Sequence, residues 1–124
     1  MSTSDPRPAV WIGHVTLATP DLPATRDFML EVGMRDLAHG DDFAVLELRG
    51  GTHLVLLPAQ EPAVGEAYFD LMVEDLEATH QQLCSKGLSP SAIAEGRIHS
   101  SFTLASPSGH TLKFNSTHVS DQPV

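Results

Sequence analysis

The sequence predicts an α+β fold built from two tandem βαβββ modules, and three observations carry that reading. Shifting the 124-residue chain by 54 positions lays LATPDLPATRDFMLEVGM over LMVEDLEATHQQLCSKGL, with Leu17/Leu71, Asp21/Asp75, Leu22/Leu76, Ala24/Ala78, Thr25/Thr79 and Gly33/Gly87 identical. Those identities fall on mechanical positions: a strand end, a helix N-cap, a helix body and the glycine that stops the helix. The last strand-like runs also align, now at an offset of 58, pairing Gly51/Gly109 and Leu54/Leu112.

Residues 1–9, rich in Ser, Asp and Pro, read as a flexible lead-in without a basic-then-apolar signal pattern. The first module spans residues 10–58. It opens on a strand around HVTLAT, and Asp21 then caps a helix whose first turn accepts Pro23. Leu22, Phe28 and Met29 supply the apolar stripe, and Gly33 takes the left-handed conformation that closes the helix. Three strand-like runs follow, MRDLAHG, FAVLELRG and THLVLLPA, separated by Gly40-Asp41-Asp42 and Gly50-Gly51. Residues 59–66, Pro- and Ala-rich, form a connector. The second module, residues 67–117, repeats the plan with Asp75 as cap, a stripe of Leu76, Leu83 and Cys84, and Gly87 as stop. Its later strands are LSPSAIAEG, SSFTLAS and HTLKFNST, the last two divided by Ser106-Pro107-Ser108-Gly109, and residues 118–124 are a tail.

Bulk properties limit the partners. Hydrophobic residues make up 41% of the chain and recur in every segment, which argues for a folded globule. Sixteen acidic against seven basic residues give a net charge of −9, which repels phosphate backbones and anionic lipid, so neither nucleic acid nor a membrane surface is expected as a partner. No apolar run approaches the ~20 residues of a membrane span. The single cysteine, Cys84, fits a reducing, cytoplasmic setting and reads as a small, partly buried helix residue.

The tandem βαβββ pattern, opened by HVTLATPDL and closed by SPSGHTLKF, resembles the vicinal oxygen chelate superfamily of glyoxalases, bleomycin-resistance proteins and extradiol dioxygenases. The resemblance covers residues 10 to 117 and is carried by strand order, the helix caps and the Pro-x-Gly turn before the final strand. It implies curled mixed sheets around a cleft, a homodimer that completes the cleft from both chains, and a divalent metal acting as a Lewis acid on vicinal oxygens of the substrate.

It also implies where metal ligands would stand. The first-strand positions are His14 and, 54 residues on, Tyr68. The last-strand positions fall within Leu54-Val55-Leu56 and Leu112-Lys113-Phe114, so they hold Val55 and Lys113. Val55 cannot coordinate, a phenol must first lose a proton near pKa ~10, and an ammonium ~4 Å from a divalent ion costs several kcal/mol. The resemblance therefore leaves His14 as the one metal ligand and suggests a degenerate site without a cofactor. The alternative is a rebuilt site for Zn, Ni, Fe or Mn.

Strand alternation sorts the other candidates. His53, Val55 and Leu57 share the face opposite Leu54 and Leu56, and Thr111, Lys113 and Asn115 share the face opposite Leu112 and Phe114. Asp70 and Met72 fall on the side of Tyr68, while His99, Ser101 and Thr103 fall opposite Phe102 and Leu104. Rebuilt sets of His14/His53/His99 or His14/Asp70 have acceptable ligand types. Glu47 reads either as a strand-edge charge or as a cleft carboxylate. His39 and His110 read as exposed loop residues, His80 as surface on the polar side of the second helix, and His118 as part of the tail.

Two functions follow. One is a metal-free protein that binds a small ligand in the cleft, with His53, Asp70, His99 and Asn115 as binding residues. The other is a lyase, isomerase or dioxygenase in which His14 is base or ligand, Tyr68 donates a hydrogen bond and Lys113 holds an anionic group.

Overall fold

A computed structural model describes residues 5–124; part of the expected flexible lead-in, residues 1–4, lies outside the described residues. The first half runs β1 (His14–Thr19), α1 (Leu22–Val32), β2 (Arg35–His39), β3 (Ala44–Glu47), a 3-10 turn at Arg49–Gly51, and β4 (His53–Pro58). The second runs β5 (Leu71–Val73), α2 (Leu76–Ser85), β6 (Ala94–Glu95), β7 (Ser100–Ala105) and β8 (Thr111–Ser116). The order is βαβββ, twice. Two mixed four-stranded sheets result, β1-β4-β3-β2 and β5-β8-β7-β6, which stay separate within the chain. In each, the first strand lies parallel to the last and the other pairs are antiparallel. Tight hairpins make the antiparallel pairs, whereas the parallel pair needs a long connection.

Both helices start as their sequence dictates. The Asp21 carboxylate accepts from the Ala24 amide at 3.0 Å, and the Asp75 carboxylate from the Ala78 amide at 2.9 Å. Each satisfies one of the first-turn donors that lack a partner within the helix. The repeated threonine acts in each module too. Thr25 is buried and shares a 2.7 Å hydrogen bond with Thr19 Oγ1 at the end of β1, while Thr79 Oγ1 donates to the Asp75 carbonyl at 2.8 Å. Gly33 (φ +120°) and Gly87 (φ +85°) close the helices in the left-handed region.

Alternation on the strands sends Leu17, Ala44, Leu46, Leu54 and Leu56 of the first sheet, and Leu71, Phe102, Leu104, Leu112 and Phe114 of the second, against the helices. Phe28 and Met29 on α1 and Leu76 and Leu83 on α2 complete the core. The Phe102 and Phe114 rings stack at 4.8 Å, and each large side chain sealed this way contributes about 1.5–3 kcal/mol.

The α2 stripe differs from the sequence reading. Cys84 is exposed, because it lies one residue, about 100° of rotation, past Leu83. His80 takes the stripe position instead, since Leu76, His80 and Leu83 follow i, i+4, i+7. It is half-buried: its ring stands edge-on to Phe102 at 5.1 Å, and its Nε2–H donates to the Ser91 carbonyl at 2.8 Å. The run LSPSAIAEG yields only a two-residue β6. Ser91 holds the rest of it to β7, its amide donating to the Thr103 carbonyl and its Oγ accepting from the Thr103 amide, each at 2.8 Å.

Two contacts tie the modules together directly. Lys86 Nζ donates at 2.8 Å to the Glu31 carbonyl in the last turn of α1, where a cation also meets the negative end of the helix dipole. Arg49 pairs with Glu74 at 2.8 Å. The connector is pinned as well: the Ala63 amide donates to the Ser108 carbonyl at 2.9 Å, and Glu66 bridges Thr111 in parallel register.

Candidate functional site

The sheet faces turned away from the helices carry the candidate residues, in two clusters. On the first sheet, strand register lines up His14 with His53, His53 with Glu47, and Glu47 with Arg35. Residues in register point to the same side, so the four form one polar row across all four strands. Arg35 Nε donates to Glu47 Oε1 at 3.1 Å, and its Nη2 reaches the same oxygen. Glu47 Oε2 lies 3.1 Å from His53 Nε2, and the His14 and His53 rings meet edge-on at 5.6 Å. The Arg35 guanidinium first, and then the His53 ring, hold the Glu47 carboxyl below the usual glutamate value of 4.5. Glu47 is therefore a carboxylate on the open face of the first sheet, paired on both oxygens. Arg35 was not singled out in the sequence. Its only signal was that Arg35 and Glu47 fall on successive strands, and their pairing depends on the β2–β3 register.

The second sheet presents a different cluster. A concavity of about 490 Å³ brings Tyr68, Asp70 and Lys113 together, with Glu66, Thr111 and Ile12 on its walls. Tyr68 is not on a strand, as the 54-residue offset implied. Thr111 pairs with Glu66 and Phe114 with Leu71, so residues 67–70 stand opposite only 112 and 113. The surplus residues bend outward, and the Tyr68 side chain is fully exposed. Over the matching stretch of the first module, His14 to Leu17 pairs without slippage with His53 to Leu56.

His99 and Asn115 join neither cluster. The His99 ring stacks on His118 at 5.0 Å, and its Nδ1 is buried without a hydrogen-bond partner. Asn115 lies in register with Ser101 and Met72, yet is only 1% exposed, and its Oδ1 also lacks a partner. His110, expected as an exposed loop ring, is half-buried. Its Nδ1 lies 2.8 Å from Ser108 Oγ, which lies 2.6 Å from Ser106 Oγ, which donates to the His110 carbonyl. His39 is exposed, 3.6 Å from Asp36.

The donor set does not fit the metal that the fold implies. His14 stands at its position, but Val55 offers no donor, Tyr68 is turned out to solvent, and Lys113 is a cation. The rebuilt sets fare no better. In His14/His53/His99 the His99 ring is stacked on His118, and in His14/Asp70 the carboxylate lines the second-sheet concavity, which His14 does not line. Among the described residues, no three His, Cys, Asp or Glu side chains converge as a cation site requires.

The fold is that of the vicinal oxygen chelate proteins, seen in solved glyoxalase, bleomycin-resistance and dioxygenase-type structures. A lactoylglutathione lyase from Agrobacterium tumefaciens superposes with a TM-score of 0.77 at 16% identity, over 94% of this chain and 100% of that one. A bleomycin resistance determinant encoded on transposon Tn5 gives 0.68 at 16% identity, over 89% and 100%. A glyoxalase/bleomycin resistance protein/dioxygenase from Alicyclobacillus acidocaldarius gives 0.69 at 18% identity, over 94% and 96%. No family model and no curated protein matches the sequence. Among the described residues, no helix is long and apolar enough to cross a membrane.

Proposed function

We propose that this chain binds a small polar ligand, without a metal, in the concavity of Tyr68, Asp70 and Lys113. The observation that carries this is Lys113, which lines that concavity with no carboxylate at ion-pair distance among the described residues. A half-buried ammonium without a partner is a cost in the free protein and a ready anchor for an anionic group. Glu66 and Asp70 on the same walls suit N–H or O–H donors on that ligand. Anionic and donor groups together describe the ligand better than a bare anion does.

A second copy of the chain completes the site in this reading. Ile12, on a wall of the concavity, and Trp11 before it in the chain are 64% and 73% exposed, and Tyr68 lines the same concavity fully exposed. Such an apolar rim suits a partner surface.

The test begins with metal analysis of protein purified without chelator. We expect far less than one equivalent of Zn, Ni, Fe or Mn. Stoichiometric metal that disappears in His14→Ala would instead establish the metal-dependent lyase, isomerase or dioxygenase. Calorimetric titration with S-lactoylglutathione, which carries carboxylates, follows on wild type and Lys113→Glu. Binding should weaken about tenfold or more when the charge is reversed, and equal affinity would remove Lys113 from the site. Sedimentation of the same samples reads the homodimer.

A further inference from the structure

The row Arg35–Glu47–His53 is a second, separate arrangement with its own chemistry. Carboxylate oxygens only accept, and Glu47 is held ionised by Arg35, so the hydrogen between Glu47 Oε2 and His53 Nε2 belongs to the imidazole. In its neutral form the His53 ring is thereby fixed as the Nε2–H tautomer, with the lone pair on Nδ1. That Nδ1 has no hydrogen-bond partner among the described residues, and unlike Nδ1 of His99 it is not sealed from solvent. Burial of half the ring and the edge of His14 restrict how it can turn.

We propose that Arg35 and Glu47 preset His53 Nδ1 as a metal-free acceptor and nucleophile on the open face of the first sheet, for a ligand group that carries an O–H or N–H donor or an electrophilic carbonyl. Arg35 and Glu47 are positioning residues, and His53 is the group that touches the ligand. The inference shares with the ligand-binding reading only the premise that the open faces are where ligands approach.

The structure makes one substitution unusually informative. In Glu47→Gln, Arg35 still donates to Oε1, so the carboxamide oxygen must take that place and the NH2 must occupy the place of Oε2. An NH2 facing His53 Nε2 needs a lone pair there, which moves the ring proton to Nδ1. The charge is lost, the shape is kept, and the tautomer inverts.

Long-range 1H–15N correlation spectra of metal-stripped, ligand-free protein at neutral pH read this directly. For wild type we expect His53 to favour Nε2–H by about tenfold or more, beyond the ratio of a blocked histidine peptide. Glu47→Gln should favour Nδ1–H, and Glu47→Ala should relax to the peptide ratio. Diethyl pyrocarbonate is the electrophilic probe. Nδ1 attacks its carbonyl carbon, the N–C bond forms and the anhydride C–O bond breaks. Ethyl carbonate leaves and decomposes to carbon dioxide and ethanol, and the ring loses its Nε2 proton to solvent. Peptide mapping should show His53 labelled faster than His39 in wild type, and no faster in Glu47→Gln. A wild-type tautomer ratio equal to that of a blocked histidine peptide, no inversion in Glu47→Gln, or unchanged labelling would each overturn the proposal. None of these readouts needs a ligand or Lys113, so the two readings fail separately.

Discussion

Replacing Gly109 with alanine tests whether the connector is clamped onto the second module, because that clamp sets one wall of the concavity in which we propose a ligand binds. Gly109 has φ +94°, and a Cβ placed there would lie 2.3 Å from the Ala63 carbonyl oxygen and 2.7 Å from the Ala63 nitrogen. Both are backbone atoms, so no side chain can swing aside and the connector must retreat. Left-handed backbone costs an L-residue about 1–2 kcal/mol, and loss of the Ala63–Ser108 hydrogen bond adds about 1 kcal/mol. The total is about 2–3 kcal/mol. Gly51 is the internal control, with φ +95° and nothing within 4 Å of its Cβ position, so Gly51→Ala should cost only the backbone part. Urea unfolding followed by circular dichroism separates the two. With a slope of about 2 kcal/mol per molar for a domain of this size, the midpoints should differ by roughly 0.5 M. The same retreat would pull Glu66 from its bridge to Thr111, so ligand affinity should fall in Gly109→Ala and stay level in Gly51→Ala. Equal midpoints for the two variants would refute the clamp.

Asp21→Ala and Asp75→Ala should each cost about 1 kcal/mol in the same urea assay. The caps sit on different helices and share no partner, so the double variant should cost about 2 kcal/mol; a clearly smaller sum would mean that one cap is not formed. The depressed Glu47 carboxyl sets a pH dependence. Its stabilising contribution is complete above the usual value of 4.5 and is lost as pH falls through its lower folded value. Unfolding midpoints from about pH 6 to about pH 3 should therefore fall less steeply in Glu47→Gln than in wild type, and parallel curves would show that the Arg35–Glu47–His53 row does not form in solution.

The parts of the fold that were legible in the sequence are those that neighbours in the chain decide. A carboxylate three residues before the amide it accepts from, a glycine where a helix must turn left-handed, and two-residue alternation on a strand all act locally, and the structure places Asp21, Asp75, Gly33, Leu54 and Leu112 accordingly. What alternation cannot supply is continuity and register. Counting back 54 residues from a good match assumes an unbroken ladder, yet Glu66 and Leu71 pair with partners only three apart on β8, and Tyr68 is expelled in between. Register likewise decides which polar residues become neighbours. Arg35, Glu47, His53 and His14 come from four strands and are aligned by three separate pairings. Each of the four could have been assigned to a face in advance, but a one-residue slip in any ladder would have sent its partner to the core. A duplicated module would suggest one ring of four equivalent ligands, and the pairings here divide the candidates differently. The unbroken β1 builds a charge-neutralised histidine row, while the second module places Lys113, without an ion pair among the described residues, in one concavity with the exposed Tyr68. Those are unlike chemistries, and they are the reason we propose different tasks for the two modules.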